Sequence, residues 1–329
     1  MRKIILFLIV ISIALCFVGC PKQPDKNAKR YTIAVIPKGT THEFWKTVHA
    51  GAQKAADDMD VEIIWKGPLK EDDRESQIAV MENIMSRGVD GIVLAPLDDT
   101  ALRMPVLNAK KMKIPVVIFD SGLSGGDYIS YVATDNYKGG QIAGEYMAKV
   151  LQGKGKVAVL RYLEGSDSTT QRENGFIDAI SKFPDMEVVG SEQYAGPTME
   201  TALMAAENLF TRFKDENGVL GFNGIFSPLE PATISIVQAA KDMGLLKDLA
   251  VVGFDSSDKI ISATVNGDIK GFVVQNPFQI GYLGVKTMVD HLDGKEVSAR
   301  IDTGATLITN DNLNTPQVQE LLKPSIDNQ

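Results

Sequence analysis

The chain has 329 residues, with 34 Lys or Arg against 42 Asp or Glu, and a formal net charge of −8. An acidic chain without a basic stripe argues against binding to nucleic acid. The three histidines (His42, His49 and His291) lie far apart and the two cysteines lie near the N-terminus, so the sequence does not predict a metal centre. We expect no cofactor.

The first twenty residues have the composition of an export signal. A positively charged start (Arg2, Lys3) is followed by the almost wholly apolar residues 4–18, and a small residue precedes Cys20. This order is typical of a secretory signal peptide. The segment resembles the lipobox of bacterial lipoproteins, which implies that Cys20 is lipidated and becomes the first mature residue, although Phe17 stands where that box usually has Leu. The alternative is an uncleaved membrane anchor, which needs about 20 apolar residues.

The polar residues 21–30 predict a flexible tether between the lipid and the folded part. From Tyr31 onward, short β-branched runs alternate with segments of helical periodicity, the pattern of parallel βαβ units. In the first series, strands are predicted at 32–37, 61–65, 91–95, 115–120 and 130–134, with helices at 43–59, 73–87 and 100–111. In the second series, helices are predicted at 136–151, 170–183, 199–213 and 232–243, with strands at 156–161, 187–194, 224–227 and 249–255. Two such series predict an α/β protein of two doubly wound parallel-sheet domains side by side.

Signatures of catalysis are nearly absent from the sequence. It contains no nucleophile elbow, no zinc-protease motif and no phosphate-binding loop. The glycine pair Gly153 and Gly155 precedes a predicted strand and does not open a helix, so we interpret it as a turn.

Two carboxylates end predicted strands in matching places of the two series. Asp120 follows an apolar run in the first series and Asp255 follows one in the second. Ligands of open α/β sheets bind outside the carboxyl ends of the strands, so both side chains should point at one crevice. An ionised carboxylate accepts several hydrogen bonds, which sugar hydroxyls donate. The alternative is that each Asp only caps the turn or helix that follows.

An aromatic pair, Phe44 and Trp45, follows the first predicted strand. Flat aromatic faces pack against the C–H face of a sugar ring, while polar groups bind its edges. Neighbouring residues on a helix cannot face the same way, so we expect one ring to face the crevice and the other the core.

Seven strings in order resemble the ribose-binding protein family of periplasmic binding proteins, across nearly the whole mature chain. They are residues 33–36 (IAVI) with 42–45 (HEFW), 51–53 (GAQ), 114–120 (IPVVIFD), 133–136 (ATDN), 172–176 (RENGF), 251–255 (VVGFD) and 275–277 (QNP). The resemblance implies type I periplasmic-binding-protein architecture, with a three-strand hinge near 134–135, 275–276 and 302–303. The N-terminal domain would then comprise 31–134 with 276–302, and the C-terminal domain 135–275 with 303–329.

The resemblance also implies ligand contacts, which it places at Phe44, Trp45, Asp120, Phe254, Asp255 and Gln275. Four further candidate contacts lie where this chain departs from the ribose type or matches it with an offset. Ser121 replaces an Arg, His42 replaces an Asn, and Thr170 stands at the position of a binding Arg, with Arg172 two residues later. The site is therefore rebuilt, and ribose is not the expected ligand.

We expect an extracytoplasmic, lipid-anchored monomer that binds a small sugar-like solute and delivers it to a membrane ABC permease, in the periplasm or on the outer cell surface. A receptor that signals to a chemoreceptor or sensor kinase is the main alternative. A transcription regulator of the LacI type would need a helix-turn-helix where the export signal stands. An enzyme using Asp120 and Asp255 as an acid/base pair lacks any further catalytic group in the sequence.

Overall fold

The computed structural model describes residues 31–323. The predicted signal segment, the tether and Cys20 lie outside the described residues. No helix within the described part is long and apolar enough to cross a membrane.

Two six-stranded sheets with flanking helices make up the described chain. The first series of elements is β1 (Thr32–Ile36), α1 (Glu43–Asp58), β2 (Glu62–Trp65), α2 (Arg74–Ser86), β3 (Gly91–Leu94), α3 (Arg103–Lys111), β4 (Val116–Phe119) and β5 (Ser130–Ala133). The second is α4 (Asn136–Val150), β6 (Lys154–Val159), α5 (Asp167–Ile180), β7 (Asp185–Gly190), α6 (Met199–Phe213), β8 (Gly224–Phe226), α7 (Glu230–Asp242), β9 (Ala250–Phe254), α8 (Asp258–Val265) and β10 (Gly271–Gln275). The last elements are α9 (Pro277–Leu292), β11 (Arg300–Asp302), β12 (Ala305–Ile308) and α10 (Pro316–Leu322).

The strand orders of the two sheets correspond. The first sheet runs β11-β5-β4-β3-β1-β2 and the second runs β12-β10-β9-β8-β6-β7. All pairings are parallel except that β12 lies antiparallel to β10. We call the first sheet with its helices the first lobe, and the second sheet with its helices the second lobe. The predicted fold class of two doubly wound parallel-sheet domains is confirmed, with one antiparallel edge strand added.

The central strands are buried because helices cover both faces of each sheet. Every residue of β3, β4, β9 and β10 is buried, as expected for the apolar runs of a parallel sheet. Three elements differ from the prediction by three or more residues at an end: α3 begins at Arg103 and not at 100, α5 spans Asp167–Ile180 where 170–183 was predicted, and β7 ends at Gly190 and not at 194. Tyr194, predicted at the end of a strand, makes only an isolated bridge to Arg161.

The chain passes between the two sheets three times, after β5, after β10 and between β11 and β12. Two of the passages are fixed by helix caps: Asp135 accepts a hydrogen bond from the Lys138 amide at 3.0 Å, and Asn276 accepts one from the Gln279 amide at 3.1 Å. The caps satisfy amides at the starts of α4 and α9 that have no partner within the helix. The ends of both helices are therefore fixed beside the passages.

Small residues let α4 approach α5 closely. A Cβ on Gly140 would lie 2.0 Å from the carbonyl oxygen of Arg172, and one on Gly175 would lie 2.0 Å from that of Tyr137. Any larger side chain would force the helices apart, so these glycines set the position of the backbone that carries Arg172.

Candidate functional site

A small cavity lies where the carboxyl ends of the strands of both lobes meet. It holds about 70 Å³ of solvent space, so it suits a small solute. Its wall is mixed, with charged, hydroxyl-bearing and aromatic side chains from both lobes. The lining residues are Lys38, His42, Glu43, Phe44, Trp45, Glu71 and Asp120 from the first lobe, Tyr162, Ser168, Thr169, Arg172, Leu229, Glu230, Pro231, Asp255, Ser256 and Ser257 from the second, and Gln275 at the passage between them.

Asp120 and Asp255 both line this cavity, each one residue after a central strand. Both adopt a left-handed backbone conformation, with φ of 62° and 63° respectively. This conformation costs a residue other than glycine about 1 kcal/mol or more. Asp120 Oδ2 lies 3.3 Å from Lys38 Nζ, and Asp255 Oδ1 accepts a hydrogen bond of 2.8 Å from Gln275 Nε2.

Arg172 is held in place on the second-lobe side by four groups. Its Nε donates to Asn136 Oδ1 at 2.8 Å and one terminal nitrogen donates to the Pro228 carbonyl at 2.9 Å. Its guanidinium lies over the Phe254 ring, 4.0 Å from the centroid, and 3.5 Å from Asp255 Oδ2. A cation fixed in this way lines the cavity in a defined orientation.

The carboxyl group of Asp255 is a weaker acid than an ordinary Asp. Burial raises the pKa of its carboxyl to about 6, against the opposing effects of Arg172 and the Gln275 hydrogen bond, and the charges of Asp120 and Glu230 raise it further. Only 6% of the residue is exposed. A new donor from a bound solute would therefore stabilise the charged form of a carboxylate that is poorly solvated.

Both rings of the aromatic pair line the cavity. Trp45 is almost fully buried and packs edge-on against Phe119, whereas Phe44 is half-buried and meets Trp45 edge-on at 5.0 Å. The Trp45 indole donates to Glu71 Oε1 at 2.7 Å, which fixes the ring plane. Trp45 thus packs in the core and also lines the cavity. We expected one ring to face the cavity and the other the core, and this separation is not seen.

His42 also lines the cavity, and its Nδ1 lies 3.1 Å from Glu71 Oε1. The hydrogen bond with Glu71 raises the pKa of His42, although burial opposes the shift. His42 therefore carries more positive charge near neutral pH than an exposed histidine would.

Three of the sequence candidates do not line the cavity. Ser121 is fully buried, and its hydroxyl accepts a hydrogen bond from the Ser168 amide of the other lobe at 3.1 Å. Phe254 lies in the core beneath Arg172. The cavity is lined by Thr169 and not by Thr170, because one step along a helix turns the side chain by about 100°.

Several lining residues were not singled out from the sequence. Lys38 comes two residues after β1, so the strand-end argument that identified Asp120 applies to it equally. Glu71 and Tyr162 lie in irregular segments, where no periodicity signals an inward orientation. Glu230, at the start of α7, accepts a hydrogen bond from Ser257 Oγ at 2.7 Å. With Leu229 it replaces a polar Asn-Asp pair of the ribose type, and it was not proposed as a contact.

The cavity wall carries hydrogen-bond acceptors beside its cations. The carboxylates of Asp120 and Asp255 face it, and Gln275 Oε1 is buried with no hydrogen-bond partner among residues 31–323. A buried polar atom without a partner is destabilising by about 1–3 kcal/mol, unless a bound molecule supplies the missing donor. Within the same described residues, no group of three or more His, Cys, Asp or Glu side chains is placed to hold a metal ion.

A family model described as a periplasmic binding protein domain matches residues 33–296. The chain belongs to this family. Members of the periplasmic binding protein family act outside the cytoplasm as binding proteins and not as enzymes. The resemblance to ribose-binding proteins, the extracytoplasmic location and the assignment as a non-enzyme are therefore confirmed.

Individual relatives cover almost the whole described chain. The ribose import binding protein RbsB of Haemophilus influenzae is 29% identical over 280 residues, which cover 84% of this chain and 91% of the relative. A solved carbohydrate transporter solute binding protein from Agrobacterium radiobacter, in complex with D-arabinose, has a TM-score of 0.83 and 33% identity, covering 90% of this chain and 99% of that one. An ABC transporter solute binding protein from Agrobacterium vitis with bound D-fucose has a TM-score of 0.82 and 33% identity, covering 88% and 99%.

Proposed function

We propose that the protein captures a small sugar in the cavity between its lobes and delivers it to a membrane ABC transporter. The observation that carries the proposal is that two strand-end carboxylates, Asp120 from the first lobe and Asp255 from the second, line one cavity. Vicinal sugar hydroxyls supply paired donors for such carboxylates. The relatives with bound D-arabinose and D-fucose support a sugar as the ligand class.

The ring of the sugar would pack against Phe44 and Trp45 while its hydroxyls reach the acceptors. Arg172 would donate to a ring or hydroxyl oxygen, since it lines the same cavity beside Asp255. The unpartnered Gln275 Oε1 would accept a further hydroxyl, which removes the unfavourable burial of that atom.

The proposal includes movement of the lobes about the three passages, near 134–135, 275–276 and 302–303, as hinges. These divide the chain into an N-terminal domain (31–134 with 276–302) and a C-terminal domain (135–275 with 303–329). Gly304 is the most permissive hinge residue, because it already has a φ of 78°. A sugar that contacts both lobes binds the closed form better and shifts the population towards it. Small-angle scattering should show a smaller radius of gyration at saturating sugar; equal radii would contradict closure.

Anchoring by lipid at Cys20 completes the proposal. It rests on the charged start and apolar run that precede this residue in the sequence. A lipid anchor with the tether at 21–30 would hold the binding protein close to its transporter and raise the effective concentration at the membrane.

A calorimetric and thermal-shift screen of the mature protein tests the function. The panel comprises D-ribose, D-arabinose, D-fucose and other pentoses and hexoses, with sugar phosphates and uronic acids as a charged group. A ligand that binds only the folded state raises the melting temperature. We expect at least one neutral sugar to bind with a stoichiometry of about one and the anionic sugars to bind more weakly, because Glu230 and the two Asp carboxylates repel them. Failure of every sugar to bind would refute the proposal.

A further inference from the structure

Glu71 lies in the segment between β2 and α2, and it is buried. Its carboxylate accepts three hydrogen bonds. Oε1 accepts from Trp45 Nε1 at 2.7 Å and lies 3.1 Å from His42 Nδ1, both in the first lobe. Oε2 accepts from the hydroxyl of Tyr162 at 3.0 Å, and Tyr162 follows β6 in the second lobe. One oxygen of Glu71 therefore binds donors of the first lobe, and the other binds a donor of the second lobe.

The Glu71 carboxylate is charged while it makes these contacts. Burial acts to raise its pKa, but the hydrogen bond and charge of His42, the charge of Lys38 and the Trp45 hydrogen bond outweigh it and hold the pKa at about 2. A hydrogen bond from a neutral donor to an ionised carboxylate is stronger than one between neutral groups. Tyr162 is 1% exposed, so water does not compete for its hydroxyl while the lobes are arranged as in this structure, which we call the closed arrangement.

Separation of the lobes would break the Tyr162–Glu71 contact and leave the other two intact, because those two lie within one lobe. Other bonds also cross between the lobes: Lys38 Nζ donates to Ser168 Oγ at 2.9 Å, and the Gly122 amide donates to Asp167 Oδ2 at 3.1 Å. The Tyr162 contact differs from these because it ends on the carboxylate that orients an aromatic ring of the cavity.

We propose that Glu71 and Tyr162 form a positioning pair that favours the closed arrangement and fixes Trp45 and His42 at the cavity wall. The pair, which rests on the proposed sugar-binding function, does not read the identity of the sugar. Three donors use three of the about four acceptor sites of the Glu71 carboxylate, and the hydroxyl hydrogen of Tyr162 is used, so the pair has little hydrogen-bonding capacity left for a sugar. The pair sets how tightly the protein binds any sugar that fits, whereas the residues facing the solute decide which sugars fit.

The test is the Tyr162→Phe variant of the mature protein, with D-ribose, D-arabinose and D-fucose as probes. We expect Kd to rise about tenfold, the value of one hydrogen bond to a charged group. The increase should be the same factor for each probe that binds, and it should come from faster dissociation, because the pair acts after the sugar has entered. Tyr146→Phe is the matched control: its hydroxyl donates to the Lys270 carbonyl at 2.8 Å within the second lobe, and Kd should not change.

A second variant tests whether the loss of affinity comes from the hydrogen bond and not from a general disturbance of the fold. Glu71→Gln keeps the shape but removes the charge, and its amide can meet the Tyr162 hydroxyl only in a hydrogen bond between neutral groups, as acceptor or as donor. Kd should therefore rise by a smaller factor than in Tyr162→Phe. The pair is refuted if Tyr162→Phe binds as the wild type does, or if it loses affinity for one sugar and not another. If the wild type binds none of the probes, the proposed function fails, and small-angle scattering without sugar tests the pair instead. The radius of gyration of Tyr162→Phe must then exceed that of the wild type and that of Tyr146→Phe.

Discussion

Replacing Asp255 by Asn should make the protein more stable at neutral pH and a poorer binder. In the folded protein the pKa of Asp255 is about 6, against an ordinary value of 3.8. At about 1.4 kcal/mol per pKa unit, the ionised form is about 3 kcal/mol less favourable in the folded protein than in the unfolded chain. Asn removes the charge and keeps the shape, so up to about this amount is recovered.

The sign of the pH dependence follows from the direction of the shift. Because the folded pKa lies above the unfolded one, the folded state binds this proton more tightly. The stabilisation that results is complete below about pH 3.8 and is lost as the pH rises through about 6. The difference in unfolding free energy between Asp255→Asn and the wild type should therefore grow between pH 4.5 and pH 8, by about 1–3 kcal/mol. Glu173, whose pKa burial raises to about 7, is present in both proteins and cancels in the difference.

Urea unfolding at pH 4.5, 6 and 8, followed by circular dichroism, measures this difference. Asp258→Asn is the matched control, since its side chain is 92% exposed and three residues away; the same change there should show no comparable growth with pH. A difference that stays constant with pH, or an Asp255→Asn protein that is less stable at pH 8 than at pH 4.5 relative to the wild type, would refute the reasoning.

Three other results are expected. Asp120→Ala should weaken sugar binding about ten- to a hundredfold in calorimetry, because a charged acceptor is lost; full affinity with an intact circular dichroism spectrum would show that Asp120 only pairs with Lys38. Wild-type affinity should fall as the pH is lowered through about 6, because hydroxyls donate to the ionised Asp255, and Asp255→Asn should flatten this dependence in the same titration. Cys20→Ser should give a released protein or an uncut precursor in membrane fractionation with mass spectrometry, whereas a processed, membrane-held product would contradict lipidation.

The sequence predicts most of the fold as far as residue 255, because the buried strands carry a strong apolar signal. The strands β3, β4 and β9 are apolar runs buried at every residue. No elements were predicted from periodicity after β9, although β10 has the same signal and is buried at every residue; β11 and β12 differ from it. There β11 and β12 have three and four residues and are partly exposed, so neither has a hydrophobic pattern of its own. β11 and β12 are strands because they pair with β5 and β10, and this pairing depends on tertiary structure, which local sequence does not show.

The site is predictable where position along a strand decides the orientation, and less so elsewhere. Asp120 and Asp255 were identified because the end of a parallel strand faces the crevice whatever the details of packing. Thr170 was proposed from the family pattern and not from a strand end, and in the structure its neighbour Thr169 lines the cavity. Glu71 reaches the cavity from an irregular segment, and its inward position depends on donors that are distant in sequence, above all Tyr162.

The backbone at Asp120 and Asp255 argues that these carboxylates do more than cap a turn. Both residues have a positive φ, at matching positions after β4 and β9. Glycine would adopt this conformation without strain, and a turn that needed only the backbone geometry would be more stable with it. Asp255 adds the burial of a charge that its surroundings do not fully compensate. Two strained residues, of which one is also poorly solvated, persist where the unfavourable free energy is offset by something else. A solute whose hydroxyls donate to both carboxylates provides that offset, and it does so only when both lobes reach it together.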